Sequence, residues 1–150
     1  MSCNWLNDDT VKLELSSTKK DEILKELIAL TVKSGEITNQ EEFTRAIFDR
    51  EAKITTGIGS GIAIPHARSN AVDEFVMAFA RSRKGLDFKS LDDRPVHLFF
   101  ILGAPLEHDE EYLETMAKLS KLLKEANFRK KILDAKTKEE IIRIISGDKE

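Results

Sequence analysis

The stretch of residues 96–102 is almost purely apolar, and it restricts the possible folds of this chain more than any other segment. A strand with one face in water alternates apolar and polar side chains, whereas a strand covered on both faces is apolar throughout. The segment therefore predicts a central strand with a layer of structure on each side. The longest apolar run, 98–106, is broken only by Gly103 and Pro105 and is far shorter than the ~20 residues of a membrane-spanning helix. We therefore expect no direct insertion into a membrane.

The segments around this strand alternate between strand and helix patterns. Strands are predicted at 11–15, 62–64 and 75–80, and helices at about 19–33, 40–50, 113–123, 128–133 and 139–145. The expected N-caps are Ser17 or Thr18 for the first helix, Thr38 or Asn39 for the second and Thr137 for the last, and Gly35 is the expected stop of the first helix. Strands separated by helices are typical of an α/β sandwich.

The composition limits the class of protein. The 150 residues suit one domain, 1–150. Because 24 basic and 27 acidic residues give a net charge of −3, the chain lacks the basic excess that is usual in a nucleic-acid binder. The single cysteine, Cys3, excludes an internal disulfide and a thiol-rich metal site. No basic and then apolar leader opens the chain, so we expect a cytoplasmic location.

Three histidines are present, and two of them favour ordinary roles. His97 lies at the start of the apolar strand, where a structural ring with backbone or hydroxyl partners is expected. His108 lies in an acidic polar segment, where a surface position is the simpler interpretation and a place near a site is the alternative. No two histidines have the i, i+4 spacing of a helical metal site, so no metal centre is predicted.

His66 is the candidate for chemistry. It follows Pro65, whose fixed φ and missing N–H predict a stiff loop at the end of a sheet. Imidazole titrates near pH 6.5, so at pH 7 one nitrogen can attack phosphorus while the other is held by a hydrogen bond. A structural histidine in a loop is the alternative.

A run of glycines, Gly57, Gly59 and Gly61, precedes His66. Such a run lets backbone N–H groups approach an anion. It fits neither the dinucleotide fingerprint nor the phosphate-binding loop of ATPases, so nucleotide binding is disfavoured. A tight bend before a buried strand is the other interpretation.

Two arginines flank this region. Arg50 ends a predicted helix just before the glycines, and Arg68 follows His66 by two residues. A guanidinium matches phosphate oxygens bidentately. A cation at a helix C-terminus is also favoured by the helix dipole, so for Arg50 both interpretations stay open, and Arg68 is equally ambiguous.

The residues from Glu51 to Ala67 resemble a motif of a known family. Glu51, a gap of six residues and the run IGSGIAIPHA at 58–67 are similar to the phosphohistidine signature of the enzyme IIA domain, fructose/mannitol type, of the phosphoenolpyruvate-dependent sugar phosphotransferase system. The nitrogen-related enzyme IIA proteins share this signature. The similarity extends over about 10–147. It implies an α/β sandwich with a mixed, mostly parallel central sheet flanked by helices.

The resemblance also implies a chemistry. His66 would accept a phosphoryl group through Nε2, with Nδ1 hydrogen-bonded to the backbone, from the histidine phosphocarrier protein HPr or a paralogue. It would pass the group to a cysteine of an enzyme IIB, and no cofactor is implied. Arg50 matches the family arginine that steadies the phosphoryl group, and Thr56 and the three glycines are expected to support it.

One position departs from the family pattern. Family members often have a second histidine at the start of the long helix, where this chain has Tyr112. Tyr112 and His108 are the two candidates for its place beside the phosphoryl group, and if neither takes it the phosphoryl group has one partner fewer than in the family. The resemblance fits a sugar-uptake phosphocarrier of fructose or mannitol type, and the alternative is a regulatory protein that binds partners according to its phosphorylation state.

Overall fold

The molecule is built on a six-stranded mixed sheet. The computed structural model describes residues 6–107 and 110–147. Within these ranges the strands are β1 (Val11–Lys12), β2 (Gly57–Gly59), β3 (Ile62–Ala63), β4 (His66–Arg68), β5 (Val76–Leu86) and β6 (Val96–Ala104). Their order is β1-β5-β6-β3-β2, and β4 also pairs with β6. Three of the five strand pairings are parallel, those of β1 with β5 and of β3 and β4 with β6, so the predicted mixed sheet is confirmed. The longest pairing, β5 with β6, is antiparallel.

Helices cover both faces of this sheet. The described residues contain α1 (Lys20–Val32), α2 (Gln40–Lys53), α3 (Glu110–Leu123), α4 (Ala126–Asp134) and α5 (Lys138–Ser146). Along β6, Phe99 and Ile101 pack in the core under α1 and α2, whereas Phe100 and Leu102 pack in the core under the other three helices. All four side chains are fully buried. The prediction of a central strand covered on both faces, and with it the α/β sandwich, is confirmed.

Two predicted N-caps are present. The Asn39 side chain accepts a hydrogen bond from the Glu42 N–H at 3.1 Å, and Thr137 accepts one from Glu140 at the same distance. The predicted cap of the first helix at Ser17 or Thr18 is wrong. The helix begins at Lys20 and has no side-chain cap, and the Ser17 N–H donates to the Glu26 carboxylate of the helix at 2.9 Å.

Two strand lengths differ from prediction. The first strand ends at Lys12, not at residue 15: the Leu13 carbonyl accepts from Arg81 Nε at 3.0 Å, and backbone pairing resumes only at Leu15, whose N–H donates to the Arg81 carbonyl at 2.9 Å. The strand predicted at 75–80 instead runs from Val76 to Leu86 and contains an irregularity after Arg81. Both differences arise from contacts between residues that are distant in the chain.

The structure also differs from the prediction in the segment around His66, the candidate site residue. The strand predicted at 62–64 ends at Ala63, and the residues after Pro65 form β4 rather than a loop. Although proline has no N–H to donate, the Pro65 carbonyl accepts a hydrogen bond from Leu102 at 3.0 Å and begins a parallel pairing with β6. His66 is opposite Leu102 and Arg68 opposite Ala104. His66 is therefore held by the sheet.

Helix α2 continues to Lys53, beyond the predicted fading of its pattern near residue 50. It packs against β4. Arg50 and Glu51 therefore lie in its last turns, on the element that neighbours His66. No helix in the described ranges is long and apolar enough to cross a membrane.

Candidate active site

The His66 imidazole is half-buried at the start of β4. Its Nδ1 atom lies 2.8 Å from the carbonyl oxygen of Ile64. Since a carbonyl oxygen only accepts hydrogen bonds, Nδ1 carries the hydrogen, and in the neutral ring Nε2 then holds the lone pair. The hydrogen bond expected between Nδ1 and the backbone is present. The ring is thus oriented with Nε2 as its nucleophilic atom.

Electrostatics favour the neutral form of this ring. Burial lowers the pKa of His66 below its ordinary value of 6.5, and the Arg50 guanidinium lowers it further. The hydrogen bond to Ile64 and the carboxylate of Glu51 act in the opposite direction without outweighing the burial. At pH 7 most of the protein therefore carries an uncharged imidazole, which is the form that can attack phosphorus.

Tyr112 lies beside His66. The two ring centroids are 6.2 Å apart with the planes tilted by 50°, and only 8% of Tyr112 is exposed. Burial raises the pKa of the Tyr112 phenol, although the charges of Arg68 and Arg50 lower it in part. The phenol therefore keeps its proton at neutral pH and can donate a hydrogen bond. The structure thus brings Tyr112 next to His66, while His108 lies outside the described residues.

Arg50 has a local structural partner and also acts on the site. Its Nη1 donates to the carbonyl oxygen of Ile54 at 2.9 Å, just past the end of α2, which is the role expected of a cation at a helix C-terminus. The same guanidinium shifts the pKa of both His66 and Tyr112. The helix-end role of Arg50 is therefore present, and its binding of a phosphoryl group stays a prediction.

Arg68 contacts Tyr112. Its guanidinium carbon lies 5.7 Å from the centroid of the Tyr112 ring, within the range of a cation–π contact. Its Nη2 donates to the carbonyl oxygen of Leu106 at 2.9 Å. Arg68 thus belongs to the same cluster as His66 and Tyr112.

The buried carboxylate of Glu51 holds Thr56, the residue that precedes the glycine run. Glu51 is 7% exposed, and its two oxygens accept hydrogen bonds from the Thr56 hydroxyl at 2.6 Å and the Thr56 N–H at 2.8 Å. Lys20 of α1 forms an ion pair with it at 2.9 Å. Burial by itself would raise the pKa of Glu51, but these partners outweigh it and lower the pKa. Glu51 is therefore ionised, and it ties the start of the glycine run to α1 and α2.

Glu51 is counted in the family signature without a predicted role, and Lys20 is not singled out by the sequence interpretation. One signal was available for Glu51, because a carboxylate in the last turns of a helix opposes the helix dipole. Such a local conflict calls for a compensating partner or a function. Lys20 carries the same signal, since a cation in the first turn of a helix also opposes the dipole, and the ion pair with Glu51 compensates both residues.

The three glycines lie in the β2–β3 hairpin, where close packing or backbone conformation requires glycine. A side chain at Gly57 would place its Cβ 2.9 Å from the Cα of Ser90. Gly59 and Gly61 have φ values of +103° and +79°, which L side chains rarely adopt. The hairpin geometry explains all three glycines, and their contact with a phosphoryl group stays a prediction.

His97 has the predicted structural environment. Its Nδ1 lies 2.9 Å from the carbonyl oxygen of Ser82. Its ring fills the space beside Gly85, where an added Cβ would come within 2.8 Å of it. No group of three or more histidine, cysteine or acidic residues that could hold a metal ion occurs in the part of the chain that the structure describes.

Three large apolar side chains are exposed next to the polar cluster. Ile54 is 54% exposed, Leu106 is 49% exposed and Leu113 is 56% exposed. Ile54 and Leu106 provide the carbonyl partners of the two arginines, and Leu113 follows Tyr112 in the chain. We call these three side chains the apolar rim. A contiguous patch of exposed apolar side chains is typical of a protein contact surface.

The fold is an α/β sandwich in which an oriented histidine lies beside Tyr112, and Tyr112 in turn contacts Arg68. The family model for the "Phosphoenolpyruvate-dependent sugar phosphotransferase system, EIIA 2" matches residues 4–147. The chain belongs to this family, as the sequence resemblance predicted. Domains of this family are phosphotransfer proteins of the sugar phosphotransferase system.

Named relatives fall into two groups. The chain is 38% identical over 141 residues to the fructose-specific EIIABC component of Bacillus subtilis, which covers 94% of this chain and 22% of that protein. The chain therefore spans less than a quarter of that relative. It is 33% identical to a nitrogen regulatory protein of Bradyrhizobium diazoefficiens, over 88% of this chain and 86% of that protein.

Solved structures show the same fold. The complex of the mannitol enzyme IIA with phosphorylated enzyme IIB from Escherichia coli matches with a TM-score of 0.81, over 95% of this chain and 97% of that chain. The identity is 20%, so this likeness concerns the fold.

Proposed function

We propose that the chain is a phosphocarrier of the phosphotransferase system, in which His66 accepts a phosphoryl group from HPr or a paralogue and passes it to a cysteine of an enzyme IIB. The observation that carries the proposal is the hydrogen bond between Nδ1 of His66 and the Ile64 carbonyl, which leaves Nε2 as the nucleophile. The proposal includes a single enzyme IIA domain over 1–150 and a cytoplasmic location.

The transfer is an exchange of one N–P bond for another. The lone pair of Nε2 attacks phosphorus as the bond to the donor's imidazole nitrogen breaks, and the electron pair of that bond stays with the donor ring. The proton of His66 stays on Nδ1, hydrogen-bonded to the Ile64 carbonyl, so phosphorylated His66 is a cationic ring bearing an anionic phosphoryl group. A thiolate of the acceptor then attacks phosphorus, and the electron pair of the broken bond returns to Nε2.

The protein's contribution is positioning and charge. Phosphoryl transfer needs little covalent chemistry from the protein. Arg50 supplies a cation for the phosphoryl oxygens, and the protonated phenol of Tyr112 supplies a hydrogen-bond donor. Because the donor is itself a phosphorylated histidine, the proposal requires no metal or nucleotide. Thr56 is assigned a supporting role through Glu51, whose carboxylate it holds.

The apolar rim supports transfer between proteins. Donor and acceptor must each bring a reacting atom to Nε2 in turn, so the site has to be shallow and able to bind both. Ile54, Leu106 and Leu113 offer apolar contact area beside the arginines, a combination typical of interface centres. The solved complex of the mannitol enzyme IIA with enzyme IIB has an acceptor of the proposed kind.

Phosphorylation of His66 would serve one of two functions, sugar uptake or regulation. The fructose-specific relative favours delivery of the phosphoryl group for sugar uptake. The nitrogen regulatory relative favours a regulatory protein whose partner binding depends on phosphorylation. Both use the same chemistry at His66. Adjacent genes for enzymes IIB and IIC would support uptake, whereas a sigma-factor gene context would support regulation.

The test is phosphorylation of the purified protein. After incubation with phosphoenolpyruvate, enzyme I and HPr, intact-mass spectrometry should show the addition of one phosphoryl group, and peptide mapping should place it on His66. The label should be acid-labile and base-stable. His66→Ala and His66→Asn should both remain unlabelled, and the asparagine variant keeps an N–H donor for the Ile64 carbonyl as a control for folding. Labelling of either variant at the wild-type level would overturn the assignment.

A further inference from the structure

Arg68 and His66 occupy the same face of one short strand. Residues two apart in a strand point to the same side and lie about 6.5 Å apart. The backbone of β4 is held at both ends, since His66 is in register with Leu102 and Arg68 with Ala104. Ala67, between them, is buried, whereas Arg68 is exposed. The sheet therefore presents a guanidinium and the nucleophilic imidazole side by side.

Tyr112 connects the two side chains. Its ring lies 6.2 Å from the His66 ring and 5.7 Å from the guanidinium carbon of Arg68. The hydrogen bond from Arg68 to the Leu106 carbonyl fixes the other side of the guanidinium. Arg68 is thus held against the phenol that borders His66, by an aromatic ring on one side and a carbonyl on the other.

The phosphorylated state needs more positive charge than Arg50 provides. A phosphoryl group on Nε2 brings nearly two negative charges to a half-buried position, and the ionised Glu51 is a neighbouring anion. Lys20 pairs with Glu51 at 2.9 Å and so balances that carboxylate. Arg50 and Arg68 both act on the Tyr112 phenol. Arg68 is placed beside this phenol by its contact with the Tyr112 ring, and Arg50 acts on the same phenol through its charge.

We propose that Arg68 is a second phosphoryl-binding cation, which together with Tyr112 and Arg50 holds the phosphoryl group on Nε2 of His66. This inference rests on the proposed phosphocarrier function and assigns a role that the sequence left ambiguous. A guanidinium also donates several hydrogen bonds in a fixed plane, so it can contact a phosphoryl oxygen while keeping the Leu106 carbonyl. A purely structural anchor for residues 105–107 is the competing role.

The test measures the charge around the phosphoryl group directly. The full chain is phosphorylated by HPr or, without any partner protein, by phosphoramidate, whose N–P bond breaks to transfer the phosphoryl group and release ammonia. Phosphorus NMR then follows the second ionisation of the phosphoryl group against pH. A nearby cation favours the dianion, so its removal raises the pH of half-ionisation.

Three substitutions of Arg68 and one control variant separate the effect of its charge from its hydrogen bond to the Leu106 carbonyl. Arg68→Met removes both, Arg68→Gln keeps a donor for the Leu106 carbonyl but no charge, and Arg68→Lys keeps the charge. Arg143→Met is the matched control, because Arg143 is exposed on α5, which packs against β1 at the far edge of the sheet. Met and Gln should raise the phosphoryl midpoint by about 0.3–0.7 pH unit, the range of an exposed ion pair. Lys and the control should stay near wild type, and the difference should shrink in 1 M salt, as expected from ~3 Å screening.

The outcomes distinguish this inference from the proposed function. If wild type is not phosphorylated at His66 by either donor, the phosphocarrier proposal fails and Arg68 loses its role with it. If wild type is phosphorylated but Arg68→Gln titrates like wild type, the arginine is an anchor and only the inference on Arg68 is overturned. A raised midpoint in both Met and Gln, together with a wild-type midpoint in Lys, supports a phosphoryl-binding cation.

Discussion

The Nδ1 atom of His66 and the carbonyl oxygen of Ile64 lie 2.8 Å apart, on either side of a buried proline. Pro65 has a fixed φ, and it also restricts Ile64 to extended backbone conformations. The Ile64 N–H is itself held by the Thr56 carbonyl at 3.0 Å. The acceptor that selects the tautomer of His66 is therefore placed by the backbone before any partner binds.

The first prediction concerns the titration of His66. Because burial and Arg50 lower its pKa, an NMR titration of the ring should give a midpoint below 6.5. Glu51→Gln should lower the midpoint further, since the carboxylate that favours the charged ring is lost. Folding stability should accordingly fall as the pH drops below 6.5, where the unfolded chain takes up the proton first. A midpoint above 6.5 in wild type would contradict the described environment.

The second prediction concerns Arg50. Arg50→Met should raise the pKa of His66, because a neighbouring positive charge is removed. It should also slow phosphorylation by about tenfold or more, as expected on loss of a charge-assisted hydrogen bond. Rapid-quench kinetics and the ring titration measure the two effects. Arg45→Met, which removes an exposed arginine from the same helix, is the control and should change neither quantity.

The third prediction concerns Tyr112. Tyr112→Phe keeps the ring against His66 but removes the phenol that we expect to donate to the phosphoryl group. The lifetime of phosphorylated His66 at pH 7 should shorten by about tenfold, within the range for a hydrogen bond to a charged group. The unphosphorylated ring should titrate as in wild type. An unchanged lifetime would remove the Tyr112 hydroxyl from the site.

The fourth prediction concerns the Glu51–Thr56 contact. Thr56→Val conserves the shape of the side chain but leaves one oxygen of a buried carboxylate without its hydroxyl donor. We expect a loss of about 1–3 kcal/mol in the free energy of unfolding, measured by urea denaturation. Thr44→Val on the exposed surface of α2 is the control, and its effect should stay within about 0.5 kcal/mol. Equal effects of the two substitutions would argue against a supporting role for Thr56.

The fifth prediction concerns acid stability. Burial opposes ionisation of Glu26, but hydrogen bonds from Lys12, Ser16 and Ser17 outweigh it and lower the pKa of Glu26 to about 2. The resulting stabilisation is present above pH 4.5 and is lost as the pH falls from 4.5 to about 2. Glu26→Gln should lower the free energy of unfolding at pH 7 by about 1–2 kcal/mol after allowance for solvent screening. Its curve should approach that of wild type near pH 2, and parallel curves would contradict this assignment.

Some elements could be predicted because a local pattern is enough to determine them. The two-sided apolar run of β6 requires cover on both faces, whichever segments supply it. Asn39 and Thr137 cap their helices through contacts only three residues long. By contrast, neither Ser17 nor Thr18 caps its helix: the helix begins at Lys20, and the Ser17 N–H bonds to Glu26, more than a turn into the helix.

For function, the sequence by itself determined the fold class, the family and the single histidine with a motif around it. The tertiary structure decided which groups surround that histidine. The pairing of β4 with β6, the ion pair between Lys20 and Glu51 and the contact of Tyr112 with His66 each join segments that are distant in the chain. Side-chain periodicity reports only on neighbours within one element, whereas burial, pKa and charge balance depend on how the elements pack.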